Sequence, residues 1–420
     1  MKQMKMIRLK ILILVLVVFL MVGWYEWFTG RWQIINPLSK KNKVLENKIE
    51  VVGFLPSWMV GKTRIYGEEV DKLIFLGVEV DSEGELVWDV QGKKINSEEY
   101  LRVKNNVAKN EGKNILGIKQ FGDDDLDLLI GDKEKRDRLI NELEGVVLAG
   151  NFDGVNVDFE YQNSPVKVMS DDFVMFLREL REANLGEISL DVFANTVIKG
   201  EKEGLDRLLN NLDQFIVMGY DFHRPGSNYA GPVAPIGSEL GEPSLGDVVN
   251  RINLEQLDRK KIVLALPLYG YEWRTEDENY GSKVVPGYSQ MASYKRAGDL
   301  LKGGDYKVVD MKEVDVKDIS GLEPGVIRLY FDEIAKSPWM VYKEEVTKTV
   351  RQRISKYSTR TQLVTVKSEE YYQIYFENLV SMKYKFDLIK ENGLGGLGFW
   401  ALGYEGEDMQ VWRELEKVVN

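Results

Sequence analysis

From residue 50 onward the chain alternates short apolar runs rich in β-branched residues with longer amphipathic stretches. The short runs predict strands at 50–56, 72–80, 113–120, 154–160, 187–194, 213–220, 261–269 and 395–402. Between them, apolar residues at helical spacing predict helices over 132–150 and 170–184, the latter opened by a Ser/Asp cap. Eight strands alternating with helices predict an α/β fold, a closed (β/α)8 TIM barrel over 50–420. The gap between the seventh and eighth strands is much longer than the others. It holds the strand-like and helical runs "DYKVVDMK", "GVIRLYF", "TQLVTV" and "EEVTKTVRQRISKY". Residues 272–370 are therefore read as an inserted α+β subdomain at the mouth of the barrel.

One predicted strand departs from the apolar pattern. "NFDGVNVDFEY" (151–161) places Val155, Val157 and Phe159 on one face and Asn156, Asp158 and Glu160 on the other. Same-face residues of a strand are about 6.6 Å apart, close enough for one carboxylate to tune the next. In a barrel such a face points into the lumen, where ionised groups are costly unless paired or used. The row climbs toward the C-terminal mouth, where barrel enzymes keep their sites. Asp153 precedes it without the spacing of a calcium loop.

The N-terminus has a different character. Lys2, Lys5, Arg8 and Lys10 precede an uncharged apolar run from Ile11 to Tyr25, and Trp27 and Phe28 flank its far side. Cations, then an apolar span, then aromatics predict a transmembrane signal anchor within 1–28. No small-x-small cleavage site follows, so the anchor is expected to stay uncleaved. Residues 29–49 read as a tether. The positive-inside pattern puts everything beyond Phe28 outside the cytoplasm, giving a single-pass membrane protein.

Composition narrows the chemistry. Hydrophobic residues make up 44%, enough for a large core. Net charge is −11, and residues 49–420 alone carry −18, a body that phosphate backbones repel; nucleic acid is not an expected partner. The chain has no cysteine and one histidine, His223. Disulfides, cysteine nucleophiles and multi-histidine zinc sites are excluded. A Ser-His-Asp site would need His223 as its base, and no G-x-S-x-G elbow accompanies it.

"DGVNVDFE" closely resembles the D-G-x-D-x-D-x-E signature of glycoside hydrolase family 18, the chitinase family. "VMGYDFH" (217–223), "LALPLYGYEW" (264–273) and "GLGGLGFWALGYE" (393–405) resemble three further family motifs in the family's order. Asn156 where chitinases usually have Asp, together with "GPVAPIGS" (231–238) and "YFEN" (375–378), resembles the branch of spore-cortex and related peptidoglycan hydrolases. The third strand departs from the family: it carries "GIKQFGDDD" (117–125) where S-x-G-G is common, which affects the expected cleft shape.

The resemblance implies a glycosidase acting on N-acetylglucosamine polymers, peptidoglycan or chitin, with no metal or organic cofactor. Catalysis in this family is substrate-assisted. It implies Glu160 as the acid and later the base. Asp158 orients the substrate's acetamido group, and Tyr220 bonds the acetamido oxygen. Trp400 forms the floor under the sugar, and Met218, Asp221, Phe54 and Asn156 line the same subsite. Met218 and Phe54 equally fit an ordinary core, and Trp400 can also be read that way. Asp153 is a structural support. A further expectation is that the Asn156 amide donates to Asp158 and keeps it ionised, and that Glu160, beside that charge, is raised in pKa. A monomer is expected. A sugar-binding barrel without chemistry is the alternative function, and the altered third strand keeps it open.

Overall fold

The computed structural model describes residues 48–302, 306–311, 319, 321–353 and 360–419. The expected anchor and tether, 1–28 and 29–49, lie outside the described residues except for residues 48 and 49. Among the described residues no helix is long and apolar enough to cross a membrane.

Eight parallel strands form the central sheet: Glu50–Pro56, Lys72–Val80, Lys113–Gln120, Gly154–Phe159, Glu187–Phe193, Gln214–Met218, Ile262–Pro267 and Gly396–Trp400. The first strand pairs with both the second (Val52 with Lys72) and the eighth (Gly53 with Phe399), which closes the sheet into a barrel. The strands are buried on both faces. Val52, Phe54, Ile74, Ile115, Ile216, Val263 and Ala265 fill the lumen. Val155, Val157 and Phe159 face the helices in the larger outer core.

Local chemistry sets the fourth strand, which carries the polar row. The preceding helix, Lys133–Gly150, is capped by Asp132 and ends at Asn151 in the left-handed conformation, φ +53°. The Asp153 carboxylate then accepts from the Asn114 N–H at 2.8 Å, and the Asp153 N–H donates to the Asn114 carbonyl at 2.8 Å. Gly154 is required by closeness: a Cβ there would lie 2.2 Å from the Glu187 carbonyl oxygen. Asp153 and Gly154 thus lock the base of the strand to both neighbours, at the opposite end from the mouth. The following helix, Asp171–Glu182, is capped by Ser170, whose hydroxyl accepts from the Phe173 N–H.

Between the seventh and eighth barrel strands lies a six-stranded sheet. Its strands are Tyr269–Thr275, Val284–Ser293, Lys307–Asp310, Val326–Asp332, Ser337–Arg353 and Thr361–Tyr375. This sheet reaches beyond 272–370 at both ends. The apolar run 261–269 reads as one strand, but the barrel strand stops at Pro267 and Tyr269 already belongs to the second sheet. Leu268 makes the junction: its N–H donates to the Trp400 carbonyl at 2.7 Å, and its carbonyl accepts from Tyr294 at 2.9 Å. The residues on both sides of Leu268 are apolar and buried, so hydropathy alone cannot mark the change of sheet.

The "YFEN" stretch returns the chain to the barrel. Glu377 and Lys385 form a fully buried ion pair at 2.7 Å. Asn378 caps the helix Leu379–Glu391 by accepting from Val380 and Ser381. One Glu377 oxygen already lacks a hydrogen-bond partner, so the cation is its chief compensation. Lys385→Met is expected to destabilise the fold by about 3–5 kcal/mol, because it leaves a buried charge unpaired. Denaturant unfolding checks this; a loss below about 1 kcal/mol would show that Glu377 finds relief elsewhere.

Candidate active site

Asn156 and Asp158 are buried on the lumen face of the fourth strand, and Glu160 follows the strand's last residue at the mouth. The Glu160 N–H donates to the Gln120 carbonyl at 2.9 Å. The Asn156 amide does not donate to Asp158. It turns to the fifth strand, donating to Ser189 Oγ at 3.1 Å and to Asp191 Oδ1 at 2.9 Å. Asp191 is a buried carboxyl group absent from the candidates read from sequence. Its signal was present: Ser189 and Asp191 alternate with Ile188, Leu190 and Val192, the same polar-inward pattern as the fourth strand.

The electrostatics follow from this arrangement. Burial raises the Asp158 pKa well above the usual carboxylate range, and the charges of Glu160 and Asp191 add to the rise; Lys119 opposes it. The expectation that Asp158 stays ionised to low pH is therefore overturned. Its intended donor is engaged elsewhere, and one of its oxygens has no hydrogen-bond partner. Burial also raises Asp191, with Glu160 adding and the Asn156 bond opposing. Glu160 is pushed up to about 7, chiefly by burial. Gln162, which donates to Glu160, and Arg224 hold it down, while Asp221 pushes it up. The hydrogen bond between Asp158 and Glu160 couples the two groups, so they titrate as a pair.

Beside these groups lies an aromatic floor. Trp400, at the end of the eighth strand, packs on Phe54 with ring centroids 5.7 Å apart and on Trp58 at 6.2 Å. Tyr220 stacks at 6.5 Å against Trp400 and meets the Tyr269 ring edge-on at 6.0 Å. Phe54 belongs to the packed lumen, and Met218 is likewise buried, at the end of the sixth strand. Burial raises the Tyr220 hydroxyl, and Asp191, Asp158, Asp221 and Glu160 raise it further, so it stays a proton donor. Asp221 sits at φ +60°. Its Oδ1 accepts from Tyr269 at 2.5 Å and from Tyr271 at 3.0 Å. Trp58, whose indole donates to the Tyr404 hydroxyl at 3.2 Å, was not among the sequence candidates. The His223 Nδ1 lies 3.0 Å from the Pro232 carbonyl, and its ring packs against Gly231.

The unusual third strand places Lys119 in register between Glu79 and Asp158, a row of alternating charge across three strands. Lys119 pairs with Glu79 at 2.9 Å. Gln120 folds back on its own loop, accepting from the Phe121 and Gly122 N–H groups and donating to the Val80 carbonyl at 2.6 Å. A pocket of about 320 Å³ opens beside Tyr220 and Asp221, lined also by Gln162, Asn195 and Arg224. Among the described residues no three His, Asp or Glu side chains are grouped to hold a metal ion.

A closed parallel barrel with clustered carboxyl groups at its C-terminal mouth, over an aromatic floor, has the architecture of a sugar-processing barrel. The chain belongs to the glycosyl hydrolases family 18, whose model matches residues 50–405. It is 31% identical over 147 residues to a class V chitinase of Arabidopsis thaliana, covering 32% of this chain and 38% of that protein. It is 28% identical over 144 residues to a putative sporulation-specific glycosylase of Bacillus subtilis, covering 33% and 32%. The aligned stretches thus span about a third of these relatives. Among solved structures, the Group IV chitinase of Ostrinia furnacalis in complex with allosamidin shares the fold. Its TM-score is 0.66 at 17% identity, covering 88% of this chain and 98% of that one.

The raised Glu160 sets a pH prediction. A carboxyl group held at about 7 is protonated below that pH and ionised above it. If its proton is used in the reaction, kcat/KM falls as pH rises through about 7. Rates on a soluble N-acetylglucosamine oligomer across pH 4–10 check this, at constant ionic strength. An alkaline limb that stays flat to pH 9 would remove Glu160 as the acid.

Proposed function

We propose that the protein is a membrane-anchored, extracytoplasmic glycosidase that cleaves β-linked N-acetylglucosamine polymers, with the substrate's acetamido oxygen as nucleophile. The observation that carries this reading is Glu160, a carboxyl group held at about 7 at the mouth and hydrogen-bonded to Asp158. Family membership and the chitinase and glycosylase relatives support the substrate class.

The chemistry runs through these side chains. Glu160 gives its proton to the glycosidic oxygen, the C1–oxygen bond breaks, and the acetamido oxygen bonds to C1 from the opposite face. The resulting ring carries positive charge. Asp158 meets that charge only as a carboxylate, so its proton must leave. The hydrogen bond to Glu160 offers the route, which would charge Asp158 and arm Glu160 in one transfer. Tyr220 donates to the acetamido oxygen, and Trp400 packs under the sugar. Water then attacks C1 and loses a proton to Glu160 as the bond from C1 to the acetamido oxygen breaks, and the anomeric configuration is retained.

Asn156 serves as a neutral cross-link to Asp191 that leaves Asp158 free to exchange a proton with Glu160. The cation-then-apolar order of the first 28 residues supports the anchor.

Glu160→Gln keeps the shape and removes the acid. Turnover of N-acetylglucosamine oligomers is expected to fall about 100-fold or more, the usual worth of acid catalysis, while binding persists. A glucose polymer without acetamido groups should not be cut. Wild-type turnover in the variant would instead favour a carbohydrate-binding barrel.

The anchor makes a separate prediction. Full-length protein should stay with membranes through high salt and alkali, and protease added to wall-stripped cells should degrade the barrel. Complete protection would place the barrel in the cytoplasm.

A further inference from the structure

The pocket beside the acid contains a cation that the proposed reaction does not use. Arg224 lies in the loop after the sixth strand. Its backbone N–H is fixed to Ser227 Oγ at 3.0 Å, and its side chain is exposed along the pocket. Among the described residues its guanidinium forms no ion pair. Yet it stands close enough to Glu160 and Asp221 to lower both. The nearby Glu242 is drawn toward His223 instead, 3.5 Å from Nε2. In the wall of the same pocket, the Asn195 side-chain oxygen is buried and accepts no hydrogen bond. The pocket therefore offers one open planar cation and one open acceptor, immediately beside the acid.

The surrounding charge makes this pairing informative. Residues 49–420 carry a net −18, and Glu160 and Asp221 stand at the mouth beside the pocket. A neutral sugar polymer needs no cation there. A polymer bearing carboxylates would be repelled unless a cation received them, and an arginine fork matches a carboxylate in geometry. A pocket of about 320 Å³ lies within the range of small-molecule sites and has room for more than a hydroxyl group.

We propose that this pocket receives a carboxylate-bearing substituent on a sugar beside the cleaved bond, with Arg224 holding the carboxylate and Asn195 accepting a hydrogen bond from the substrate. A 3-O-lactyl ether on an N-acetylated sugar, the chemistry of peptidoglycan glycan strands, supplies that group. Chitin lacks it. The inference rests on the glycosidase reading above and names the substrate within its class.

The test uses full-length protein in detergent and glycan strands of alternating N-acetylglucosamine and N-acetylmuramic acid, stripped of peptide. A second sample has its lactyl carboxyl groups converted to methylamides. Wild type should favour the free carboxylates by roughly tenfold in kcat/KM, the size of one such pairing. Arg224→Gln should erase that preference, and Arg224→Lys should keep part of it. Equal rates on the two wild-type samples, or an Arg224→Gln loss that is the same on both, would overturn the proposal while leaving the glycosidase reading intact. If neither these strands nor chitin oligomers are cut, the glycosidase reading fails. Binding of the two samples to Glu160→Gln protein, with and without Arg224→Gln, then decides the pocket by the same preference.

Discussion

The structure turns on the cost of burying carboxyl groups in a closed, otherwise apolar lumen. An isolated ionised carboxylate in such a place is prohibitively expensive, so the group takes a proton, a cation or a fixed donor. Each buried carboxyl group here uses a different remedy. Asp191 takes the Asn156 amide. Asp158 keeps its proton and shares it with Glu160. Asp221 takes two tyrosine hydroxyls. Glu160, at the mouth, is held at about 7. Its position at the strand's end, where burial is incomplete, is what poises it.

Asn156 matters because it is neutral. A carboxylate in its place would stand where the amide now meets Asp191, 2.9 Å away, and the two would have to share a proton. The amide removes that competition and meets the Asp191 carboxyl group as a donor instead. Lys119 acts from the other side. Glu79 pairs with it, and its charge opposes the rise of the Asp158 pKa. The third strand, the most divergent from the family pattern, thus enters the electrostatics of the site as well as the outline of the cleft.

What the sequence made legible follows from the range of the interactions. Eight strands stood out because each is buried on both faces and bounded by turn or capping residues, all local signals. The row Asn156, Asp158, Glu160 was legible because alternation is local too. The partner of Asn156 was not. Whether its amide meets Asp158 two residues away or Asp191 on the next strand depends on register and side-chain direction, with Asn156 opposite Ser189. The end of the seventh strand was hidden for a related reason: Leu268 is as apolar as its neighbours, and only its hydrogen bonds to Trp400 and Tyr294 mark the change of sheet.

That change of sheet has a chemical consequence. Tyr269 and Tyr271 open the inserted sheet, one residue after the barrel strand ends. Both aim their hydroxyls at Asp221, whose backbone is held in a left-handed conformation, φ +60°. Those two donors, together with the charge of Arg224, offset the burial of the Asp221 carboxyl group. Tyr269 also meets the rings of Tyr220 and Tyr404 edge-on at 6.0 and 6.2 Å. The inserted sheet therefore begins as a wall of the candidate active site. Because its first strand pairs with Val284–Ser293 and with Thr361–Tyr375, the placement of that wall is set partly by residues about 100 positions further along the chain.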